Sequence, residues 1–183
     1  MTVVFCGRFQ PFHNEHYQIV KTALAKYDRL VIGVIINSVD RQGKKCNSAT
    51  STVEMGNARQ EPCSNPLTVI ERVAMINKLV DNLDLRERIV VTALPRPTLY
   101  WELVETLLPA PRVWILGSAS DEFERAKMDL FRSNGDRVDA VGSSQSTSGT
   151  VVRALLRNQD PVAADYLPSL IYEELKHYAH VRW

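Results

Sequence analysis

The chain has 183 residues, long enough to bury a full core as one domain, and its 22 basic against 21 acidic side chains leave a formal net charge of +1. That balance gives no bulk electrostatic case for a nucleic-acid partner or an anionic membrane, so any basic character has to be local. No apolar run approaches the ~20 residues of a membrane span and no basic region leads into a cleavable apolar segment, so no membrane association and a cytoplasmic location are expected.

The first predicted strand covers Thr2 to Cys6 and delivers the chain to Gly7, where backbone can approach a ligand closely. Pro11 restricts the following turn, and a helix opens near His13, running from roughly Glu15 to Lys26 with Ile19, Val20, Ala23 and Leu24 on its buried face. His13 and His16 stand at i and i+3, on one face of the first helical turn, where free backbone N–H groups and the positive dipole end favour an anion. Such a pair alone is explained equally well by a solvated face or by packing. The weight comes from Arg8 and Gln10, which crowd the same strand-to-helix turn, the place where doubly wound sheets bind ligands. A zinc site, which takes three protein ligands, is not expected, and any metal would be held mainly by phosphates.

Leu30 to Ile36 is a continuous apolar run suited to a central parallel strand. A polar stretch from about Asp40 to Asn65 follows, without helical or strand period, and at the ligand-binding edge it reads as a functional lid or a disordered loop. Cys6 is expected to be a small buried hydrophobe. Cys46 and Cys63 flank the polar stretch; a disulfide between them is open in an oxidising setting, and free thiols fit a cytosolic protein.

A helix is predicted from about Thr68 to Asp81, burying Val69, Val73, Ile76 and Val80, with Thr68 or Asn65 as its cap. Strands follow at Arg88 to Ala93 and Arg112 to Gly117, with a helix around Tyr100 to Leu108 between them. After a helix near Asp121 to Arg132 comes a last strand at Arg137 to Val141, and the tail from Gly149 is helical, broken at Pro161 and Pro168. This alternation predicts an α/β fold: a Rossmann-like, doubly wound, mainly parallel sheet with helices on both faces.

The start of the tail carries a second set of polar residues. A helix cap by itself accounts for Ser148 or Thr150, but a cation such as Arg153 so near a helix start is disfavoured by the dipole unless an anion is present. A nucleoside triphosphate would supply that anion.

The run Gly7-Arg8-Phe9-Gln10-Pro11-Phe12-His13-Asn14-Glu15-His16 resembles the phosphate-binding turn of the nucleotidylyltransferase superfamily, and closely that of the archaeal-type nicotinamide mononucleotide adenylyltransferases, a domain type also found fused to Nudix hydrolases. The resemblance continues through Asn65-Pro66-Leu67-Thr68-Val69-Ile70-Glu71-Arg72, Ile115-Leu116-Gly117 with Asp121, and Ser148-Gly149-Thr150-Val151-Val152-Arg153, ending near Leu167-Pro168. It implies a single nucleotidylyltransferase domain over 1–183, with the polar stretch at about 40–65 as an insertion relative to the family's shorter connection, that transfers the adenylyl group of ATP to nicotinamide mononucleotide, giving NAD and pyrophosphate without a covalent intermediate. By the same resemblance His13, His16 and Arg153 are catalytic, Gly7, Arg8, Phe9, Gln10, Gly117, Ser148 and Thr150 bind ATP, and Trp101 stacks on the acceptor ring. Read from the residues alone, Trp101 is equally well a core tryptophan. Mg2+ would arrive on the ATP phosphates, and family members are often homo-oligomers.

Three departures from the family pattern stand out. Glu15 replaces a small residue, Ser64 stands where an arginine often precedes the Asn-Pro pair, and the Asp and Asn that accompany the family's tryptophan are absent from residues 95–100. A different phosphate acceptor (phosphopantetheine, or a CTP-dependent reaction) and a non-catalytic nucleotide sensor are the alternatives that keep the same turns.

Overall fold

The computed structural model describes residues 1–36, 64–117, 122–142 and 147–178. The elements run β1 Thr2–Gly7, α1 Asn14–Lys26, β2 Leu30–Ile35, α2 Val69–Asn82, β3 Ile89–Leu94, α3 Trp101–Leu107, β4 Arg112–Leu116, α4 Glu122–Ser133, β5 Arg137–Ala140, α5 Gly149–Arg157, a 3-10 helix Pro161–Tyr166 and α6 Ser169–His177. Among the described residues the strands form one parallel sheet in the order β3-β2-β1-β4-β5. This is the Rossmann-like arrangement expected, and each element lies within a residue or two of its predicted span. Because β1 lies between β2 and β4, the direction of winding reverses beside it.

Strand periodicity divides the core into two faces. Val3 and Phe5 of β1, Leu30, Ile32 and Val34 of β2, and Val113 and Ile115 of β4 point to one side, where α1, α2, α5 and α6 cover them. Val4 and Cys6, Ile35, and Trp114 and Leu116 point to the other, against Val104 of α3 and Phe131 of α4. Helices therefore sit on both faces, as predicted. Cys6 is buried and free, and burial pushes its thiol up to about 11, so it stays protonated at neutral pH. Cys46, Cys63, Asp121 and almost the whole polar stretch from Asp40 lie outside the described residues.

The face of α2 differs from expectation. Ile76 and Val80 are buried, but Val69 and Val73 are only partly so, and the fully buried stripe is Arg72, Met75, Ile76, Leu79 and Val80. An apolar periodicity passes over arginine, so the stripe is read one position out of place. Thr68, not Asn65, caps this helix: its Oγ1 accepts from the Glu71 N–H (3.3 Å), while the Glu71 carboxylate accepts from the Thr68 N–H (2.6 Å), a reciprocal capping box.

At the amino-terminal edge of the sheet this second face carries a buried ion pair. Asp136 accepts from Arg112 Nε (2.6 Å) and from the Trp114 indole N–H (2.7 Å), and the Trp114 ring lies flat on Phe131 at 4.1 Å. No helix among the described residues is long and apolar enough to cross a membrane.

Candidate active site

The turn after β1 lies at the carboxyl edge of the sheet, beside the ends of β2 and β4. Phe9 takes a left-handed backbone conformation (φ 49°), uncommon for a bulky side chain, and so a sign of strain held in place by its surroundings. Its buried ring meets Phe5, Phe12 and His16 at centroid distances of 5.4, 5.3 and 4.9 Å. That packing accounts for Gly7, since a Cβ there would lie 2.7 Å from Phe9 Cε1. The Gln10 amide pairs with Leu67 in both directions, Nε2 donating to the carbonyl (2.8 Å) and Oε1 accepting from the N–H (3.0 Å). Arg8 Nη1 reaches Asn65 Oδ1 at 3.5 Å. Both links fasten the turn to the segment leading into α2.

His13 is the N-cap of α1, in extended conformation, and its backbone N–H donates to His16 Nδ1 (3.2 Å). The two imidazoles stack at 3.7 Å. Because Nδ1 of His16 accepts, a neutral His16 carries its hydrogen on Nε2 and offers an N–H donor there. Burial, reinforced by Arg153, pushes His13 down to about 4. Burial, then His13 and Lys127, holds His16 well below the usual histidine range. Both rings are therefore neutral at pH 7. His13 Nδ1 is buried with no partner among the described residues, a deficit of about 1–3 kcal/mol that a ligand could relieve.

Helix α5 brings the second set of residues to this turn. Ser148 caps it, its Oγ accepting from the Val151 N–H (3.3 Å). Arg153 is 6% exposed; Nη1 donates to the Gln10 carbonyl (2.8 Å) and Nη2 to Thr150 Oγ1 (3.2 Å). Helical side chains lean toward the N-terminus, so Arg153 lies back over the first turn of α5, where carbonyl and hydroxyl oxygens receive it. Gly149 allows the approach, because a Cβ there would stand 3.1 Å from Arg153 Nη1 and 3.2 Å from the Gln10 oxygen. The starts of α1 and α5 thus converge, and with them two positive dipole ends.

The structure gathers Gly7, Arg8, Phe9, Gln10, His13 and His16 with Thr150 and Arg153 at this corner, and Ser148 heads the same helix. Gly117 follows β4 beside α1, where a Cβ would meet Ile19 Cδ1 at 2.7 Å. Trp101 belongs to the other face: it packs against Trp114 and Phe131, with the Arg112 guanidinium 5.1 Å from its ring centroid. Gly149 and Arg72 had no role assigned from sequence, although both stand in quoted motifs. The available signals were a glycine inside a helix start and an arginine inside an apolar stripe. No group of three or more His, Cys, Asp or Glu side chains placed to hold a metal ion occurs among the described residues.

Residues 4–120 match the model of the Cytidylyltransferase-like family. The chain belongs to that family. Among relatives, the nicotinamide-nucleotide adenylyltransferase of Archaeoglobus fulgidus is 34% identical over 84 residues, 45% of this chain and 36% of that protein. The protein of the same name from Ignicoccus hospitalis is 27% identical over 198 residues, covering 100% of this chain and 95% of its own length. The match to the Archaeoglobus protein thus spans about a third of that relative's length. A bifunctional NMN adenylyltransferase/ADP ribose pyrophosphatase from Francisella tularensis, solved with AMP and a manganese ion, shares the fold (TM-score 0.58, 18% identity, 91% of this chain and 44% of that one).

Proposed function

We propose that this member of the cytidylyltransferase-like family transfers the adenylyl group of ATP to nicotinamide mononucleotide, releasing pyrophosphate and forming NAD. The observation that carries the reading is the neutral, stacked His13–His16 pair beside Arg153, where two helix starts meet. The names of the archaeal relatives support the acceptor.

An oxygen of the acceptor phosphate attacks the α-phosphorus of ATP; that P–O bond forms as the bond to the bridging oxygen breaks, and its electron pair leaves with pyrophosphate. The nucleophile is already ionised at neutral pH, so the protein's tasks are alignment and charge stabilisation. His16 donates from Nε2 to the α-phosphoryl group, and Arg153 neutralises the departing pyrophosphate. His13 and Thr150 position the triphosphate, Arg8 contacts phosphate, and Gly7, Phe9 and Gln10 shape the turn. Ser148 adds donors at the start of α5, and Gly117 borders the nucleotide. The support for Trp101 against the pyridine ring is the resemblance alone. Mg2+ enters on the triphosphate as part of the substrate and offsets its charge, since the imidazole, guanidinium and hydroxyl groups here suit phosphate oxygens better than a cation. The AMP and manganese of the Francisella structure support a nucleotide accompanied by a divalent ion.

Incubation with ATP, Mg2+ and a panel of phosphate acceptors tests the reading. Nicotinamide mononucleotide should give NAD and equimolar pyrophosphate, with nicotinic acid mononucleotide slower. Replacing His16 by Ala should lower kcat about a hundredfold, because its donor acts on charge developed in the transition state. Turnover only with phosphopantetheine or with CTP would replace the acceptor, and ATP binding without pyrophosphate release would make the chain a sensor.

A further inference from the structure

Arg72 is 1% exposed, in the apolar stripe of α2, where leucine or methionine would complete the core. Its guanidinium instead joins three chain segments: Nε donates to the Thr68 carbonyl (3.1 Å), and Nη1 to the carbonyls of Ile35 (2.9 Å) and Arg8 (2.5 Å). Burial and the neighbouring Arg8 lower it to about 10, so it remains charged at neutral pH. A buried charge is a costly way to fill a core position, which calls for a reason beyond packing.

The geometry supplies one. Phe9 has the left-handed backbone, and the carbonyls on either side of it, those of Arg8 and Gln10, are each held by a buried guanidinium, Arg72 and Arg153. With the Arg8 oxygen directed at α2, the trans peptide turns the Phe9 N–H the other way. The backbone then carries the Phe9 ring edge-on to His16 (88° between planes).

We propose that Arg72 is a positioning residue for adenylyl transfer: through the Arg8 carbonyl it holds Phe9 in its left-handed conformation, and through the Phe9 ring it sets the orientation of His16. Arg153 lies at the start of α5 and acts on His13, whereas Arg72 donates to three backbone carbonyls. The kinetic part of the inference rests on the proposed reaction, whereas the spectroscopic part does not.

Arg72→Lys keeps the charge but loses the planar fork that spans several carbonyls. The variant should fold, lower kcat by about tenfold or more, leave KM for both substrates within about threefold, and displace the His16 ring resonances in NMR spectra. A folded variant with kcat within about threefold of the parent, or with unmoved His16 resonances, overturns the proposal. If the lysine variant does not fold, the parent decides. Separate, slowly exchanging Arg72 Nη protons that shift when Mg-ATP binds support the role; averaged protons, or protons indifferent to Mg-ATP, refute it. A parent that binds Mg-ATP but transfers nothing sinks the proposed reaction and leaves these NMR outcomes to judge Arg72.

Discussion

His13 is neutral at pH 7 because the residue is 3% exposed and lies near the Arg153 charge, and that neutrality has a cost in acid. Its folded pKa, about 4, lies below the ordinary 6.5, so between those values the unfolded chain binds more protons than the folded one. Stability from this group is therefore intact above about pH 6.5 and declines as pH falls toward 4, by on the order of 3 kcal/mol in total. His16, depressed in the same direction, adds to the slope. Urea unfolding at pH 7.5 and pH 4.5 should show the parent losing more stability than His13→Asn over that interval; equal losses would mean that His13 is not buried as a neutral base. The phosphate-turn residues were legible in the sequence because they are contiguous, so that one motif names them together. Arg72 was not, since its partners are carbonyl oxygens that every residue carries.

At the scale of the element, α5 shows a helix start shaped by what it abuts. Gly149 occupies the first helical position, where alanine would favour the helix by up to about 1 kcal/mol. The added Cβ would press on the Gln10 carbonyl, which is backbone and anchored by Arg153, so the pressure falls on the contact between the two phosphate segments. Gly149→Ala should raise KM for ATP severalfold while the melting temperature changes little. Steady-state kinetics and a thermal melt decide it, and an unchanged KM would show that the two helix starts need not touch so closely. The sequence showed where α5 begins, because Ser148 is a strong cap signal; it did not show that Arg153 reaches back to a carbonyl 143 residues earlier.

Across the whole molecule, the two edges of the sheet have different tasks. The carboxyl edge gathers imidazole and guanidinium groups around a strained turn, whereas the amino edge is held by Arg112 and Asp136, each 4% exposed, together with Trp114. Asp136→Ala leaves the Arg112 charge buried without its main partner and should cost roughly 3–5 kcal/mol in urea unfolding. Among the described residues that cluster touches Trp101 but not the phosphate turn, so kcat per folded molecule should be retained and any change should fall on KM for the acceptor. A fall in kcat matching the loss of stability would mean that the two edges are coupled.

What the amino-acid sequence determined by itself is what local chemistry encodes. The alternation of apolar strands with amphipathic helices led to a parallel sheet covered on both faces, and Gly7 through His16 marked the phosphate turn. Hydropathy period and capping residues act over one or two turns of chain, so they leave a readable pattern. Only the tertiary structure decided that β1 lies between β2 and β4, that Trp101 packs with Trp114 on the second face, and that Arg72 and Arg153 grip carbonyls on either side of Phe9. The physical reason is that strand order and guanidinium partners depend on backbone groups brought together from distant segments. Those groups are the same in every residue, and side-chain identity carries no record of which of them will meet.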